Sequence, residues 1–459
     1  MPTHFDAIII GAGQAGPTLA GRLTAAGRTV ALIERKLFGG TCVNTGCTPT
    51  KAMVASACVA HKSRTAAAYG VTVPGQVSVD MKSVKARKDR IVAGSRNGLE
   101  TYLRNMKNCT VFEGHARFES PKEIRVAGNL LSADQIFLNV GGRAIIPDLP
   151  GVDQVPWLNN VSILDLDTLP RHLVVIGGSY VGLEFAQIFR RLGSEVTIIE
   201  KSSRLVSHED EDVSASIRSF LEKEDIHIRT SAECIHFKPH GNDIAAGVDC
   251  THDPSDSIGS HVLLAVGRRP NTDDLGLEKA GIAVDQHGFI TVDDELRTNV
   301  PGIWALGDCN GRGAFTHTAY NDYEIVAANL LDNDHRRVSD RISCYALYTD
   351  PPLGRAGLTE TEVRKSGKPA LIATRPMTRV SRAIEKGETE GFMKVLVDAE
   401  TKQILGASIL GTGGDEAVHC ILDTMYAKAP CTTIQRAVHI HPTVSELIPT
   451  VLGDLKPLT

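Results

Sequence analysis

The sequence predicts an α/β chain: two nucleotide-binding βαβ units, followed by a C-terminal α+β domain. Three observations point there. Residues 6–35 and 172–201 repeat one order of strand, glycine turn, helix, strand and acid. Two apolar segments, 137–143 and 263–271, each run into Gly-Arg. Beyond residue 338 the pattern changes to alternating strands and short helices.

The repeat reads "DAIIIGAGQAGPTLAGRLTAAGRTVALIER" and "HLVVIGGSYVGLEFAQIFRRLGSEVTIIEK". Gly11 and Glu34 stand 23 positions apart, as do Gly177 and Glu200. Gly27 and Gly193 fall at one offset. Gly11, Gly13 and Gly16 allow a tight turn and let the backbone approach a pyrophosphate seated on a helix N-terminus. The closing acids suit a ribose diol. The second copy, Gly177-Gly178-Ser179-Tyr180-Val181-Gly182, places serine at the middle glycine. A plain βαβ crossover would not need the same spacing twice. Two Rossmann-like domains in one chain imply a flavin held permanently and a nicotinamide that exchanges.

Composition narrows the classes. With 459 residues, about two to four domains are expected. Net charge is −5, with no basic run or aromatic-basic stripe, which argues against nucleic acid. No apolar run reaches about 18 residues, so no membrane span is expected. "MPTHFDAIIIGAGQAG" reads as strand and turn rather than as a secretion signal. Of ten cysteines, eight are scattered singly and expected to be reduced and mostly buried, as in a cytoplasmic protein.

The Gly-Arg segments lie where a nucleotide domain could hand the chain to its neighbour. "PGIWALGD", 301–308, is a short strand ending in Asp308, which could bind a cofactor hydroxyl or be a plain turn residue. "FMKVLVDAETKQILGASILG", 392–411, reads as a hairpin with a polar turn, and the helical pattern after it suggests an α+β interface domain. The expected domains are 1–150, 151–269, a return to the first over 270–337, and 338–459.

"GGTCVNTGCTP", 39–49, holds the only close cysteine pair. Structural zinc needs four ligands, and no second pair accompanies Cys42 and Cys47, so no metal site is expected. A structural disulfide here would close a small loop and stabilise little. A redox pair fits better. Thr48 is expected to cap a helix with Pro49 at its first position, placing Cys47 just before a helix N-terminus that favours thiolate. Lys51, one turn on, brings positive charge near.

The chain resembles the group I pyridine nucleotide–disulfide oxidoreductases, which include dihydrolipoyl dehydrogenase, glutathione reductase and mercuric reductase. The resemblance spans essentially all residues. It rests on GAGQAG (11–16), GGTCVNTGC (39–47), GGSYVGLE (177–184), AVGRRPN (265–271), ALGD (305–308) and HIHPTVSE (439–446). It implies FAD on Gly11, Gly13, Gly16 and Glu34, with Arg35, Gly40, Thr41, Lys51, Gly142 and His317 also around it and Asp308 at the ribityl chain. It implies NADH or NADPH on Gly177, Gly178, Ser179, Gly182, Glu200 and Gly267. Cys47 is then the flavin-proximal thiol and Cys42 the exchanging one, with Lys51 and Glu184 an ion pair near the flavin. His441 and Glu446 match a base dyad delivered across a homodimer by the C-terminal dimerisation domain. The residues themselves agree: an expelled thiolate needs a proton, and a histidine steadied by a carboxylate supplies it. His439 reads as structural.

The implied activity is FAD-dependent NAD(P)H:disulfide oxidoreduction by Cys42 and Cys47. Lipoamide, glutathione, quinones and hypothiocyanous acid stay open as substrates. Mercuric reduction is an alternative, favoured by "CVNTGCTPTK" with "FTHTAYNDYEIV". Against it, "VLGDLKPLT" lacks a vicinal cysteine pair and no metal-binding domain precedes "FDAIIIGAG". A non-enzymatic flavin redox sensor is the other alternative. Glu200 favours NADH, modestly because Lys201 and Arg204 follow it.

Overall fold

The run Ala7-Ile8-Ile9-Ile10 is continuously apolar because its strand is covered on both faces. In the computed structural model, which describes residues 1–248 and 256–458, this run belongs to β1, Thr3–Ile10. Gly11 turns the chain into α1, Gly16–Ala25, and β2, Val30–Glu34, returns parallel to β1 with Ile10 opposite Ile33. Two helices follow, α2 (Gly40–Thr45) and α3 (Cys47–Thr65). The strand Cys109–Glu113 edges the sheet beyond β2, and β3, Asn129–Leu138, lies parallel to β1 on its other side.

The chain leaves through β4, Gly142–Ala144, and builds the second unit from β5 (His172–Ile176), α4 (Tyr180–Leu192) and β6 (Glu195–Ile199). α5, Glu211–Lys223, leads to β7, Ile226–Arg229. With β8, His261–Leu264, these strands form a parallel sheet in the order β7-β6-β5-β8. The chain comes back through β9, Arg268–Pro270, which pairs antiparallel with β4, Arg269 opposite Arg143. The two Gly-Arg segments thus meet in one ribbon. β10, Ile303–Ala305, then joins the first sheet parallel to β3, and α6, Thr316–Leu331, packs beside α1.

The remainder is a six-stranded antiparallel sheet edged by β11, Cys344–Leu347, followed by β12, Leu353–Gly357. The expected hairpin is present as Phe392–Asp398 against Ile404–Leu410. Its apolar face packs on short helices through Val395, Ile409 and Ile421. Among the described residues no helix is long and apolar enough to cross a membrane.

The expectation that the scattered cysteines are mostly buried fails. Only Cys309 and Cys431 are buried among the described residues, while Cys58, Cys109, Cys344 and Cys420 are half-buried and Cys234 is exposed. Cys109 and Cys344 open edge strands, where one side of the backbone has no neighbour. Cys250 lies outside the described residues.

Arg191, near the end of α4, ties three parts of the chain. Its guanidinium pairs with Glu224 at 2.7 Å and Asp350 at 2.5 Å, and it is 5% exposed. Its removal strands two carboxylates in a poorly solvated site. Arg191→Met is therefore expected to lower unfolding stability by about 3 kcal/mol, read from urea or thermal melts.

Candidate active site

Glu34 and Glu200 do the same local job. The Glu34 carboxylate accepts from the amides of Ala12 and Lys36, each at 2.8 Å. Glu200 accepts from Gly178 and from Ser202, the latter at 2.7 Å. Each acid thus braces the glycine turn it faces and retains acceptor capacity. α1 and α4 both start without a side-chain cap and without an acid in the first turn, and Ser179 makes no capping bond. Their leading amides suit an anion.

The glycines are close-approach positions. A Cβ on Gly11 would lie 2.2 Å from the Asn139 carbonyl oxygen, and one on Gly177 would lie 2.5 Å from that of Ala265. Both have φ above +100°, which other residues rarely adopt. Gly16 and Gly182 leave no room beside Gly11 and Gly177, at 2.3 and 2.0 Å. Gly13 faces the Asn139 side chain, Gly40 faces Gly13, Gly178 faces Leu205, and Gly267 faces Ile145. Two backbone cradles result, and both fit the pyrophosphate of a dinucleotide.

Cys42 lies in α2, and Cys47 is the first residue of α3. This corrects the expected cap. Gly46 is the N-cap residue, with φ −137° and ψ −118°, so Cys47 is already helical and Thr48 caps nothing. The consequence for sulfur is stronger, since Cys47 sits inside the positive end of the helix. Asn44 holds α2 in place by donating to the carbonyls of Phe38 and Gly40 at 2.8 and 2.9 Å.

Both are free cysteines, and they are hydrogen-bonded to each other. The Cys42 thiol donates to Cys47, which lowers Cys47 to about 6 and pushes Cys42 far up. Burial opposes ionisation at both, while the Thr316 hydroxyl, 3.4 Å from Cys47 Sγ, and the Lys51 charge favour the Cys47 thiolate. Lys51 Nζ lies 2.7 Å from Glu184 Oε2 and 4.5 Å from the Tyr348 ring centre. Glu184, 7% exposed, also accepts from the Tyr348 amide at 3.0 Å.

Arg268 gathers several expected cofactor residues. It donates to the Gly142 carbonyl at 2.6 Å and to Thr41 Oγ1 at 3.4 Å, and it lies 3.5 Å from Asp308. Burial raises the Asp308 carboxyl against the pull of Arg268. His317 is stacked on Phe315 at 5.3 Å and bonds the Cys344 carbonyl at 2.8 Å, and burial lowers it. Arg35 is engaged by Asp274 at 2.9 Å. His441 Nδ1 meets both Glu446 oxygens, at 3.0 and 2.9 Å, in an exposed strip beside Val438 and Ile440. The dyad makes no hydrogen bond to either thiol among the described residues. His439 bonds the Ala437 carbonyl at 3.1 Å. Sequence reasoning missed Asn139, Arg268, Thr316 and Tyr348. Arg268 stands in the quoted AVGRRPN, yet no spacing links it to residues 41, 142 and 308.

A depressed thiol pKa leaves thiolate above it and thiol below. Iodoacetamide labelling of Cys47 in the reduced protein, followed by peptide mass spectrometry, should therefore rise with a midpoint near pH 6. Lys51→Met and Thr316→Val are each expected to move that midpoint upward.

Comparison with known proteins gives the family. Residues 5–322 match the family model "Pyridine nucleotide-disulphide oxidoreductase", and residues 343–452 match its dimerisation domain. The chain is 35% identical over 450 residues to the probable pyridine nucleotide-disulfide oxidoreductase RclA of Escherichia coli, covering 96% of this chain and 97% of the relative. It is 31% identical to a dihydrolipoyl dehydrogenase of Chlamydia muridarum, covering 97% and 96%, and 31% identical to a mercuric reductase of Streptomyces lividans, covering 97% and 95%. The solved structure of the HOCl-induced flavoprotein disulfide reductase RclA from E. coli superposes with a TM-score of 0.89 at 34% identity, covering 98% of this chain and 99% of that one. Its Cu(II) complex superposes with a TM-score of 0.90 at 33% identity, covering 99% of each chain. Family models over residues 5–322 and 343–452, with similarity over nearly the whole length of these relatives, make the chain a member of the pyridine nucleotide–disulfide oxidoreductase family.

Proposed function

We propose that this chain is an FAD-dependent NAD(P)H:disulfide oxidoreductase that reduces a small disulfide or another small two-electron oxidant at Cys42 and Cys47. One observation carries the reading: two free cysteines stand on adjoining helices, Cys47 at the start of α3 with the Thr316 hydroxyl 3.4 Å away and Lys51 one turn on. The cradle of Gly11, Gly13, Gly16 and Glu34 would hold FAD, with Thr41, Gly142, Arg268 and Asp308 alongside. The cradle of Gly177, Gly178, Ser179, Gly182 and Glu200 would hold the nicotinamide cofactor. FAD supplies the two-electron exchange between a nicotinamide hydride and a disulfide.

The chain's own residues do the rest. The hydrogen bond from Cys42, helped by the Thr316 hydroxyl and the Lys51 charge, favours the charge on Cys47. Cys42 loses its proton to His441 of the partner subunit and attacks the substrate disulfide. A Cys42–substrate S–S bond forms, the substrate S–S bond breaks, and the same imidazolium protonates the leaving thiolate. The Cys47 thiolate then attacks Cys42 Sγ, releasing the second thiolate and closing the Cys42–Cys47 disulfide. The Nδ1 bond to Glu446 leaves Nε2 of His441 as the working nitrogen. The dimerisation domain supports a homodimer, and the free thiols at Cys58, Cys309 and Cys431 suit a reducing, cytoplasmic setting.

The substrate class is tested with purified yellow protein, NADH or NADPH, and a panel of lipoamide, glutathione disulfide, hypothiocyanous acid, quinones, Hg(II) and Cu(II). Turnover is expected with a disulfide or small oxidant, and His441→Ala is expected to slow it ~100-fold. Hg(II) without excess thiol is expected to inhibit by capping Cys42 and Cys47. Sustained elemental mercury with no disulfide turnover, indifferent to His441→Ala, would instead make the protein a mercuric reductase. NADH is expected to show the higher kcat/KM, by less than about tenfold, because Lys201 and Arg204 offset Glu200 toward a 2′-phosphate.

A further inference from the structure

Three aromatic rings meet at the starts of α4 and α6. Tyr345, on β11, stacks on Phe315 with centroids 5.7 Å apart and planes 13° from parallel. Its edge meets Tyr180 at 5.4 Å, and Tyr180 meets Phe315 at 5.9 Å. Two of these rings sit at functional helix starts. Tyr180 is the first residue of α4, on the second cradle, one turn before Glu184. Phe315 is the N-cap residue of α6, directly before the Thr316 hydroxyl that touches Cys47.

The third ring is anchored at its polar end. The Tyr345 hydroxyl donates to Glu209 Oε1, and Glu209 Oε2 pairs with Arg355 at 2.5 Å. Glu209 and Arg355 are 0% and 1% exposed. Arg355 also reaches Asp210 at 3.4 Å, and Asp210 accepts from the amides of Glu360 and Thr361, each at 3.0 Å. Glu209 and Asp210 lead into α5 of the second unit, whereas Arg355 and Tyr345 lie on the C-terminal sheet.

A pair this buried adds little net stability over well-packed apolar groups. The same two parts of the chain are already joined by Arg191, Glu224 and Asp350. What sets this network apart is the tyrosine at its tip. Burial and the Glu209 charge drive its phenol far up, so it stays a neutral donor.

We propose that Tyr345 is a positioning residue: held by the Glu209–Arg355 pair, its ring is the wedge that fixes the start of α4 at the nicotinamide cradle and the start of α6 at Cys47. This rests on the oxidoreductase reading given above. Tyr345 acts through Tyr180 and Phe315 and needs no contact with a substrate. Loss of the wedge therefore loosens nicotinamide binding and the Thr316–Cys47 contact together, without touching the site where the disulfide substrate would bind.

The test compares Tyr345→Leu and Tyr345→Phe with the wild-type holoenzyme. Calorimetric dissociation constants for NADH and NADPH are measured with the pH midpoint of Cys47 labelling and the KM values for both substrates. Tyr345→Leu is expected to weaken nucleotide binding about tenfold and to raise the labelling midpoint by roughly half a unit, with the disulfide KM unchanged. Tyr345→Phe keeps the stack and loses the anchor, so it moves both in the same direction by less. If Tyr345→Leu does not fold, Tyr345→Phe alone decides. Binding and midpoint both within error of wild type would overturn the proposal, even if the melting temperature falls, because Tyr345 would then be only a tie. Absence of disulfide turnover in the wild type would instead sink the oxidoreductase reading, and the binding and labelling data would still judge Tyr345.

Discussion

The Lys51–Glu184 ion pair joins the helix that begins at Cys47 to the helix that follows the second glycine turn. Glu184 is almost fully buried, so its charge must be met inside the protein. Lys51 meets one oxygen and the Tyr348 amide meets the other, while the Tyr348 ring lies under the ammonium. The arrangement has two electrostatic edges. Lys51 favours the Cys47 thiolate and Glu184 disfavours it, so the sulfur feels a tempered positive field. An unpaired lysine there would favour the thiolate more strongly, and a thiolate of very low pKa is a poorer nucleophile.

The repeated carboxylates show a second economy. Glu34 and Glu200 close their turns through two backbone amides each, so the acid that suits a ribose also shapes the loop beneath it. This accounts for the equal spacing of glycine and acid in both copies. The distance is set by a strand, a helix and a strand whose ends must return to one turn.

That regularity is why the fold was so legible. Equal offsets, buried apolar runs and a glycine at each strand end encode local geometry, and local geometry is what a sequence displays. The thiol pair was legible for the same reason. Thr48 misled because its chemistry suits a cap, while the break at Gly46 is a backbone event with no side-chain signature. Thr316, Arg268 and the Tyr345–Glu209 bond were invisible because their partners are far apart along the chain. The dyad of His441 and Glu446 was readable because both lie in one short turn, although among the described residues no hydrogen bond connects it to the sulfur it is proposed to serve.

The ribbon of Gly142–Ala144 against Arg268–Pro270 bears on how the protein is made. The chain leaves its first sheet there and re-enters beside the same point. Ile303–Ala305 completes that sheet against Asn129–Leu138, so the first domain is unfinished on the ribosome until the whole second unit has emerged. The unit inserted in the middle has its own four-stranded sheet with an apolar core on one face built only from its own residues, and can collapse first. The order of synthesis and the order of completion are then inverted: the earliest residues wait as an open sheet edge until a later strand, delivered past a finished neighbour, closes it.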